Sequence, residues 1–343
     1  MKKFLFRISL TAAILAVFVW YVSKNIGTIT STVHVTFSQS VGYMLVAFAL
    51  SVVAFFFMVV MNQQVFSMMG IKRTKLQMFL LQVSSMAVNV LVPSSGVSVA
   101  ILFANDAKKH GESEAAAVTA AILSLMSDYI SISILLIFAM FFLNRAGSLE
   151  LRIVIPSVSF LAITGGMYWL IYTAGKNKPS LKKFLGASKR LANKVLSPFK
   201  KKIDSSEAAI DSFIDELEKA YKAISGDKTD LLKAVGAIFV AHFMYLATIY
   251  VLFLSLGIDP LYRVLVSGYA IGMMFVVISP TPNGVGFVEG SMVLAYSSLG
   301  VPGAAAATVT LIYRGFSFWL PLFIGFAALQ RDHLLALFNQ RNK

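Results

Sequence analysis

Six uninterrupted apolar segments, each long enough to cross a lipid bilayer as a helix, constrain the fold of this chain more than any other feature. A helical span needs about 20 apolar residues, because the hydrocarbon core is about 30 Å thick. Hydrophobic residues make up 57% of the 343 residues and charged residues 13%, which is more apolar than a soluble core requires. We therefore predict an all-α polytopic protein of the cell (cytoplasmic) membrane, with spans at about 4–23, 41–61, 115–143, 151–173, 231–256 and 302–329.

The residues that several kinds of chemistry need are absent or scattered. The chain has no cysteine, which excludes disulfides and thiolate metal sites. Its four histidines include no pair at the spacing of zinc ligands. P-loop, dinucleotide-binding and GxSxG motifs do not occur. We expect no metal, no cofactor, no nucleic-acid partner and no catalytic residue.

Two further apolar stretches, at about 76–105 and 262–299, are interrupted near the middle by helix-breaking residues. The first contains VPSSG at 92–96 and the second contains SPTPNGVG at 279–286. Proline removes a backbone donor and glycine weakens a helix, so each stretch is predicted to form two short helices. Because non-helical backbone inside a membrane must be buried or line a polar cavity, we interpret both stretches as re-entrant hairpins. The alternative is a pair of ordinary spans with proline kinks.

Basic residues predict the orientation of the chain, because they are enriched on the cytoplasmic side of a membrane. Both termini are predicted to be cytoplasmic. The residues that set this orientation are Lys2, Lys3, Arg7, Lys72, Arg73, Lys75, Lys108, Lys109, Arg331 and Arg341. The predicted organisation is a first membrane repeat at 1–149, the leading span of a second repeat at 150–173, a cytoplasmic segment at 174–230, the rest of the second repeat at 231–329 and a cytoplasmic tail at 330–343.

Two parts of the chain share the pattern G-x-x-x-A-A-A-x-T, and the same alignment pairs proline and glycine positions. The matched positions are 111–119 (GESEAAAVT) with 300–308 (GVPGAAAAT), Pro93 with Pro282, and Gly70-Ile71 with Gly257-Ile258. Under the predicted orientation the matching spans cross the membrane in opposite directions, so the repeats are inverted. Inverted repeats with broken helices are typical of transporters that bind their substrate near the midplane.

After each break a new helix is predicted to begin inside the membrane. Its first N–H groups lack partners in the helix and suit an anion such as a lipid phosphate. We predict that Ser94 or Ser95 caps the first of these helices and Asn283 the second. The glycines would let a headgroup approach the backbone, or would only permit close helix packing. The candidate binding residues at the breaks are Pro93, Ser94, Ser95, Gly96, Pro282, Asn283, Gly284 and Gly286.

Asp128 and Arg314 lie near the centres of two predicted spans. A charge at that depth costs about 2.5–3.5 kcal/mol and usually marks a pathway or a mutual pair. We expect these two to form an ion pair across the repeat interface, with Arg314 binding phosphate when the pair opens. The alternative is a purely structural pair. Glu289 is a candidate proton-carrying or amine-binding carboxylate, and His242 is interpreted as an ordinary bundle residue.

Residues 174–202 carry ten Lys or Arg and no acid. Apolar residues recur among them at helical spacing, which predicts a basic amphipathic helix on an anionic membrane surface. Residues 204–207 (DSSE) resemble a capping box and open an acidic helix that we expect to fold back on the basic one. The alternative is a solvated charged linker. The expected partners are anionic lipid headgroups, together with a separate synthase or a second copy of the chain.

The stretch SPTPNGVGFVE at 279–289, followed by Gly300 and Arg314, resembles the lysylphosphatidylglycerol synthase transmembrane region, a family of flippase-like membrane proteins. The resemblance covers essentially the whole chain. It carries over to Pro282, Gly284, Gly286, Glu289 and Arg314, and more loosely to Pro93, Gly96 and Asp128. In one departure, residues 97–100 (VSVA) stand where many relatives have a basic residue. In another, the chain stops at Lys343, so we expect no aminoacyl-transferase domain and no lysyl transfer.

The resemblance and the predicted repeat together imply a flippase for an anionic or aminoacylated phospholipid or a lipid-linked intermediate. The family also implies a link to antibiotic resistance. The headgroup would lie between the two hairpins, with its phosphate on the helix N-termini and Arg314, and a gradient or the lipid's own imbalance would drive its movement. One alternative is a phospholipid-modifying enzyme that uses Asp128 and Glu289 as acid and base. Another is a non-transporting subunit that binds a separate synthase through residues 174–230.

Overall fold

The computed structural model describes residues 41–91, 97–196, 207–226, 228–279 and 281–341, and these parts of the chain are helical, with no strand. The helices of the first part are α1 (Val41–Met68), α2 (Lys75–Leu91), α3 (Val97–Lys109), α4 (Glu114–Arg145), α5 (Leu151–Lys176) and α6 (Lys178–Leu196). The helices that follow are α7 (Glu207–Gly226), α8 (Lys228–Ser255), α9 (Tyr262–Ile278), α10 (Phe287–Ser298), α11 (Gly303–Arg314) and α12 (Leu320–Arg341).

Some predictions fall outside the described residues. They are the span at 4–23, the break at 92–96 with Pro93, Ser94, Ser95 and Gly96, and residues 204–206 of the predicted capping box.

Five of the predicted spans correspond to helical segments that are long and apolar enough to cross a membrane. They are α1, α4, α5, nearly all of α8, and the segment 303–330 that runs from α11 into α12. Large apolar side chains such as Leu45, Phe138 and Ile155 are exposed on these helices, as expected where a helix faces lipid. The prediction of an all-α polytopic membrane protein is confirmed.

The chain reverses direction between α9 and α10. Gly268 of α9 lies against Tyr296 of α10, and Gly272, one turn later in α9, lies against Met292, one turn earlier in α10. The two helices are therefore antiparallel. The packing is close, because a Cβ atom at Gly268 would lie only 2.0 Å from Cε1 of Tyr296. Since α10 has 12 residues, it is about 18 Å long and shorter than a bilayer core. This stretch is a helical hairpin and not a kinked span.

The chain also returns to its starting side between α2 and α3. Arg73, just before α2, forms ion pairs with Asp106 near the end of α3 and with Glu112 beyond it. Helix α3 has 13 residues, or about 20 Å, and it contacts α2. The first broken stretch is therefore a second helical hairpin, whose ends are joined by this ionic cluster.

The helices pack in corresponding pairs under the alignment of the predicted repeat. Helices α1 and α8, which correspond to each other, share an extensive interface. Helix α2 packs on α12 while its counterpart α9 packs on α4, and α3 packs on α4 while α10 packs on α11. Each half thus places the first helix of its hairpin on the closing span of the other half. This arrangement supports the inverted repeat, which stays a prediction.

The turns at the matched glycines also correspond. Gly70 and Gly257 both have positive φ, at 81° and 71°, and Gly111 and Gly300 do as well, at 73° and 90°. After each of these four glycines, the next N–H donates to the carbonyl five residues earlier, a geometry that ends a helix on a glycine. A residue with a side chain is disfavoured at positive φ, which explains why the sequence pattern retains glycine at these positions.

Helices α6 and α7 pair outside the apolar spans. Lys178 forms ion pairs with Asp215 and Glu218, and Lys182 with Asp211. Glu218 also binds Lys222. The hydrogen bonds from Lys178 and Lys222 lower the pKa of the Glu218 carboxyl group. The acidic helix folds back on the basic one, as the sequence predicts, and both helices pack against α5.

Candidate functional site

The break between α9 and α10 is a tight turn that depends on glycine. A single 3₁₀ turn spans Pro282–Gly284, and Asn283, Gly284 and Gly286 all have positive φ. A Cβ atom at Gly284 would lie 2.9 Å from the carbonyl oxygen of Phe275 and 2.5 Å from the side chain of Val288. The sequence PNGVG therefore forms a compact buried turn at which α10 can begin.

Glu289 holds the first turn of α10 in place. The backbone N–H of Gly286 donates to its Oε2 at 2.7 Å, and Nε of Arg314 donates to its Oε1 at 2.6 Å. Glu289 and Arg314 are each only 5% exposed. Both carboxylate oxygens therefore have charge-compatible donors, as a buried carboxylate requires.

Arg314 links the second hairpin to the last span. Its Nη2 donates to the carbonyl of Asn283 at 3.3 Å, and its guanidinium carbon lies 4.2 Å from the ring centroid of Phe318. The next five residues, Gly315–Trp319, form a π-helical turn between α11 and α12. Such turns are rare in helices and occur frequently at functional sites.

Two sequence predictions about these residues are wrong. Arg314 pairs with Glu289 and not with Asp128, because spacing along a span gives the depth of a charge but not the direction in which it points. Asn283 does not cap α10, since the N-cap is Gly286, three residues later, and Glu289 accepts the N–H of Gly286.

Asn283 instead connects the two hairpins. Its Oδ1 accepts a hydrogen bond from Nδ2 of Asn89 on α2 at 2.8 Å. Its Nδ2 lies 3.5 Å from the carbonyl oxygen of Met86 on the same helix. Val285 belongs to a buried apolar cluster with Ala87 of α2 and Phe318. The second break is thus built against the first hairpin.

A cavity of about 570 Å³ is lined by residues of α1, α2, α3 and α4 and by Met167 of α5. We call it the Asp128 cavity. Its walls are mainly apolar, and its size is that of a small-molecule binding site. Its polar lining residues are Asn62, Gln82, Ser85, Ser124 and Asp128.

Two acceptors in this cavity, Ser124 and Asp128, lie one helical turn apart on α4. Oγ of Ser124 and Oδ1 of Asp128 are buried, and neither has a hydrogen-bond partner among the described residues. By contrast, Nδ2 of Asn62 donates to Oε1 of Gln82 at 2.8 Å. The two acceptors are therefore unusual, because buried polar atoms are nearly always bonded.

Asp128 is paired with His242, for which the sequence predicts only an ordinary bundle residue. Oδ1 of Asp128 and Nε2 of His242 are 3.1 Å apart, although the two groups are not aligned as a hydrogen bond. On its other side, Nδ1 of His242 lies 2.6 Å from the hydroxyl oxygen of Tyr269. His242 is 2% exposed and Tyr269 is fully buried. A polar chain therefore runs from the cavity wall into the bundle.

The structure separates the predicted site residues into two groups. Those that surround the Arg314–Glu289 pair are Pro282, Asn283, Gly284, Gly286, Glu289 and Arg314. Asp128 lies at the cavity instead. Its neighbours include Ser124 and Tyr269, which the sequence did not indicate, and His242, which was predicted to be an ordinary bundle residue. One signal was available for His242, because it lies near the midpoint of its span, as Asp128 does.

The comparisons with known proteins agree with this architecture. Residues 8–325 match the family described as the lysylphosphatidylglycerol synthase TM region. A UPF0104 membrane protein of Methanothermobacter thermautotrophicus is 24% identical over 131 residues, which cover 38% of this chain and 39% of the relative. A UPF0104 membrane protein of Methanocaldococcus jannaschii is 34% identical over 100 residues, which cover 28% of this chain and 30% of the relative.

These matches to curated relatives span less than two fifths of the relatives' own length. No solved structure matches the chain. The family match, in contrast, extends over nearly the whole sequence, including both hairpins and all five described spans. This chain belongs to the lysylphosphatidylglycerol synthase transmembrane-region family.

Proposed function

We propose that this protein moves a phospholipid with an amine-bearing headgroup between the leaflets of the cell membrane, and that the headgroup binds in the Asp128 cavity. The observation that carries this proposal is the carboxylate of Asp128, whose partly exposed side chain lines a largely apolar cavity within the bundle. A charge near the middle of a membrane span is costly and is normally kept for function.

The charge of the cavity favours an ammonium group. Asp128 is the one charged residue among the described residues that line it. In a medium of low dielectric constant, this carboxylate attracts a cation strongly and repels a phosphate placed beside it. Ser124 offers a second acceptor at the same wall. Of the substrates expected from the sequence, aminoacylated phospholipids fit this lining better than purely anionic ones.

The position of the cavity suits a lipid. Ile101 and Leu125 line it and are also 54% and 40% exposed, so the cavity opens toward the outer surface of the helix bundle. Large apolar residues exposed on a membrane helix face acyl chains. A headgroup could enter the cavity from this side while its acyl chains stay in the bilayer.

The second hairpin takes a different role in this proposal. Arg314 and the N–H of Gly286 are already bound to Glu289, so a phosphate would have to displace that carboxylate to reach them. We assign any phosphate contact of Arg314 to a second conformation, reached when the two predicted repeats rock against each other. In the conformation described here, the pair fixes the second hairpin to the last span.

The test is the movement of fluorescent lipids in liposomes that contain the purified full-length protein. Three probes are compared, namely lysyl-phosphatidylglycerol, its N-acetylated form and phosphatidylglycerol. We expect the free-ammonium lipid to move about tenfold faster than the N-acetylated one, because a hydrogen bond to a charged group contributes about 1.5–3 kcal/mol.

Asp128→Asn should remove this preference, and Asp259→Asn is the matched control because Asp259 bonds Tyr250 away from the cavity. Equal movement of the two aminoacyl lipids by the wild type would reject the proposed substrate. If none of the three lipids moves, the translocator proposal fails, and the non-transporting subunit becomes the better interpretation.

A further inference from the structure

His242 lies between two polar groups in the interior of the bundle. Its Nδ1 is 2.6 Å from the hydroxyl of Tyr269, and its Nε2 is 3.1 Å from Oδ1 of Asp128. Asp128 also lines the cavity, whereas His242 does not. A buried imidazole behind a cavity carboxylate can bind or release a proton in response to what the carboxylate binds.

The charge of His242 depends mainly on Asp128, because of the groups that surround the imidazole. The helices packed on α8 are α1, α4, α7, α9 and α11. The titratable groups around the His242–Tyr269 pair are Asp128 of α4, Tyr269 of α9, Tyr313 of α11 and Tyr245 of α8. Helix α1 contributes the uncharged Met58 beside Tyr245.

Several other charged groups on these helices already have partners. The α7 acids Asp211, Asp215 and Glu218 bind lysines of α6. Arg314, which follows Tyr313 in α11, binds Glu289. Asp128 is therefore the acid that faces the imidazole.

We propose that Asp128 and His242 together hold one proton, which the ammonium group of the substrate displaces. This inference rests on the proposed function. With the proton on Nε2, His242 is a cation that neutralises Asp128. When the substrate ammonium binds Asp128, the two cations repel each other at short range in a medium of low dielectric constant. The N–H bond at Nε2 then breaks, and the proton leaves through the Asp128 cavity to water.

This competition would couple lipid movement to protons. Binding of the headgroup releases one proton, and departure of the headgroup lets His242 take up another. If the two events occur with the cavity open to opposite sides, lipid and proton exchange across the membrane. A proton gradient can then drive a protein whose sequence contains no nucleotide-binding motif.

Calorimetric titration with lysyl-phosphatidylglycerol measures the released protons directly. The full-length protein in detergent is titrated in buffers of different ionisation enthalpy, so that the heat reports the number of protons. We expect release of about one proton per lipid bound. The His242→Gln variant should bind the lipid and release none.

His110→Gln is the matched control, because His110 lies in the Arg73 cluster at the end of α3 and should leave proton release unchanged. Should His242→Gln fail to fold, Tyr269→Phe removes the hydroxyl at Nδ1 and should change the pH at which release is half-maximal. An unaltered pH dependence in that variant would overturn the inference.

Binding by the wild type without proton release between about pH 5.5 and 8 would also overturn the inference while leaving the proposed function intact. The same holds if His242→Gln releases as many protons as the wild type. Absence of binding by the wild type would instead reject the proposed function itself.

Discussion

Two polar pairs inside the bundle, Glu289–Arg314 and Asp128–His242, differ in how fully their polar atoms are bonded. Both oxygens of Glu289 accept hydrogen bonds of 2.6–2.7 Å, and Arg314 also bonds a carbonyl and packs on Phe318. Asp128 and His242 approach to 3.1 Å without alignment, and Asp128 borders a cavity. The hydrogen bonds of the first pair are all made within the protein, whereas the second pair can exchange partners.

This difference in bonding distinguishes a pair that stabilises the fold from a pair that can bind a ligand. A fully bonded buried pair makes a hairpin rigid, and removing either partner leaves an isolated charge. A pair with an unbonded oxygen loses fewer hydrogen bonds when a ligand binds. We therefore assign the closed pair, Glu289–Arg314, to positioning the second hairpin, and the open pair, Asp128–His242, to recognition.

The largest effect on stability is expected from breaking the closed pair. Arg314→Met leaves the carboxylate of Glu289 buried without a cation, and this should destabilise the fold by about 3–5 kcal/mol. The double variant Glu289→Gln with Arg314→Met should recover most of that loss, because Gln can still accept the N–H of Gly286. Thermal unfolding of the purified proteins in detergent measures both changes. A single variant as stable as the wild type would show that the pair does not hold the hairpin.

A smaller loss is expected from the turn that presents Glu289. Gly284→Ala places a side chain at φ +70°, beside the carbonyl of Phe275, and should cost about 1–3 kcal/mol. Gly290→Ala is the matched control, since no atom lies within 4 Å of its added Cβ and alanine favours a helix more than glycine. The same unfolding experiment compares the two variants. If both lose equal stability, the turn is not the strained element.

The smallest effect concerns the ionic cluster of Arg73, which lies outside the spans and provides a solvent-accessible reference for the two buried pairs. The hydrogen bond from Arg73 lowers the pKa of Glu112 from its ordinary value of 4.5, against the opposing effect of burial. A carboxylate with a lowered folded pKa stabilises the protein above pH 4.5, and this contribution disappears as the pH falls through the folded value.

Because Glu112 is partly exposed, we expect its contribution to be at most about 1 kcal/mol. Unfolding midpoints measured from pH 6 to pH 3.5 should fall less steeply for Glu112→Gln than for the wild type. Glu114→Gln changes a more exposed acid nearby and should keep the wild-type slope. Parallel curves for the wild type and Glu112→Gln would contradict this assignment.

Much of the fold was predictable because apolar length and helix-breaking residues are local signals. The spans of α1, α4, α5 and α8 follow from runs of apolar residues, and the turn at 279–286 follows from its prolines and glycines. The role of Glu289 was also predictable, since an acid three residues after the N-cap commonly accepts the N–H of the N-cap residue.

The ion-pair partners could not be predicted in the same way. Hydropathy fixes the depth of Asp128 and Arg314 but not the rotation of their helices, so the expected pair between them was wrong. His242 becomes important only because α8 packs against α4. This is a tertiary contact, which the sequence of α8 does not reveal. The cavity likewise arises where five helices meet, so no single segment of the sequence could indicate it.

The most direct test compares lipid preference in two variants, one for each ion pair. Liposomes carry either Asp128→Asn or the neutral double variant Glu289→Gln with Arg314→Met, and the measured quantity is the ratio of rates for lysyl-phosphatidylglycerol and its N-acetylated form. We predict that Asp128→Asn lowers this ratio to about one, whereas the double variant keeps the wild-type ratio even if its absolute rate falls. Loss of the preference in the double variant, together with its retention in Asp128→Asn, would contradict the assignment of recognition to the open pair.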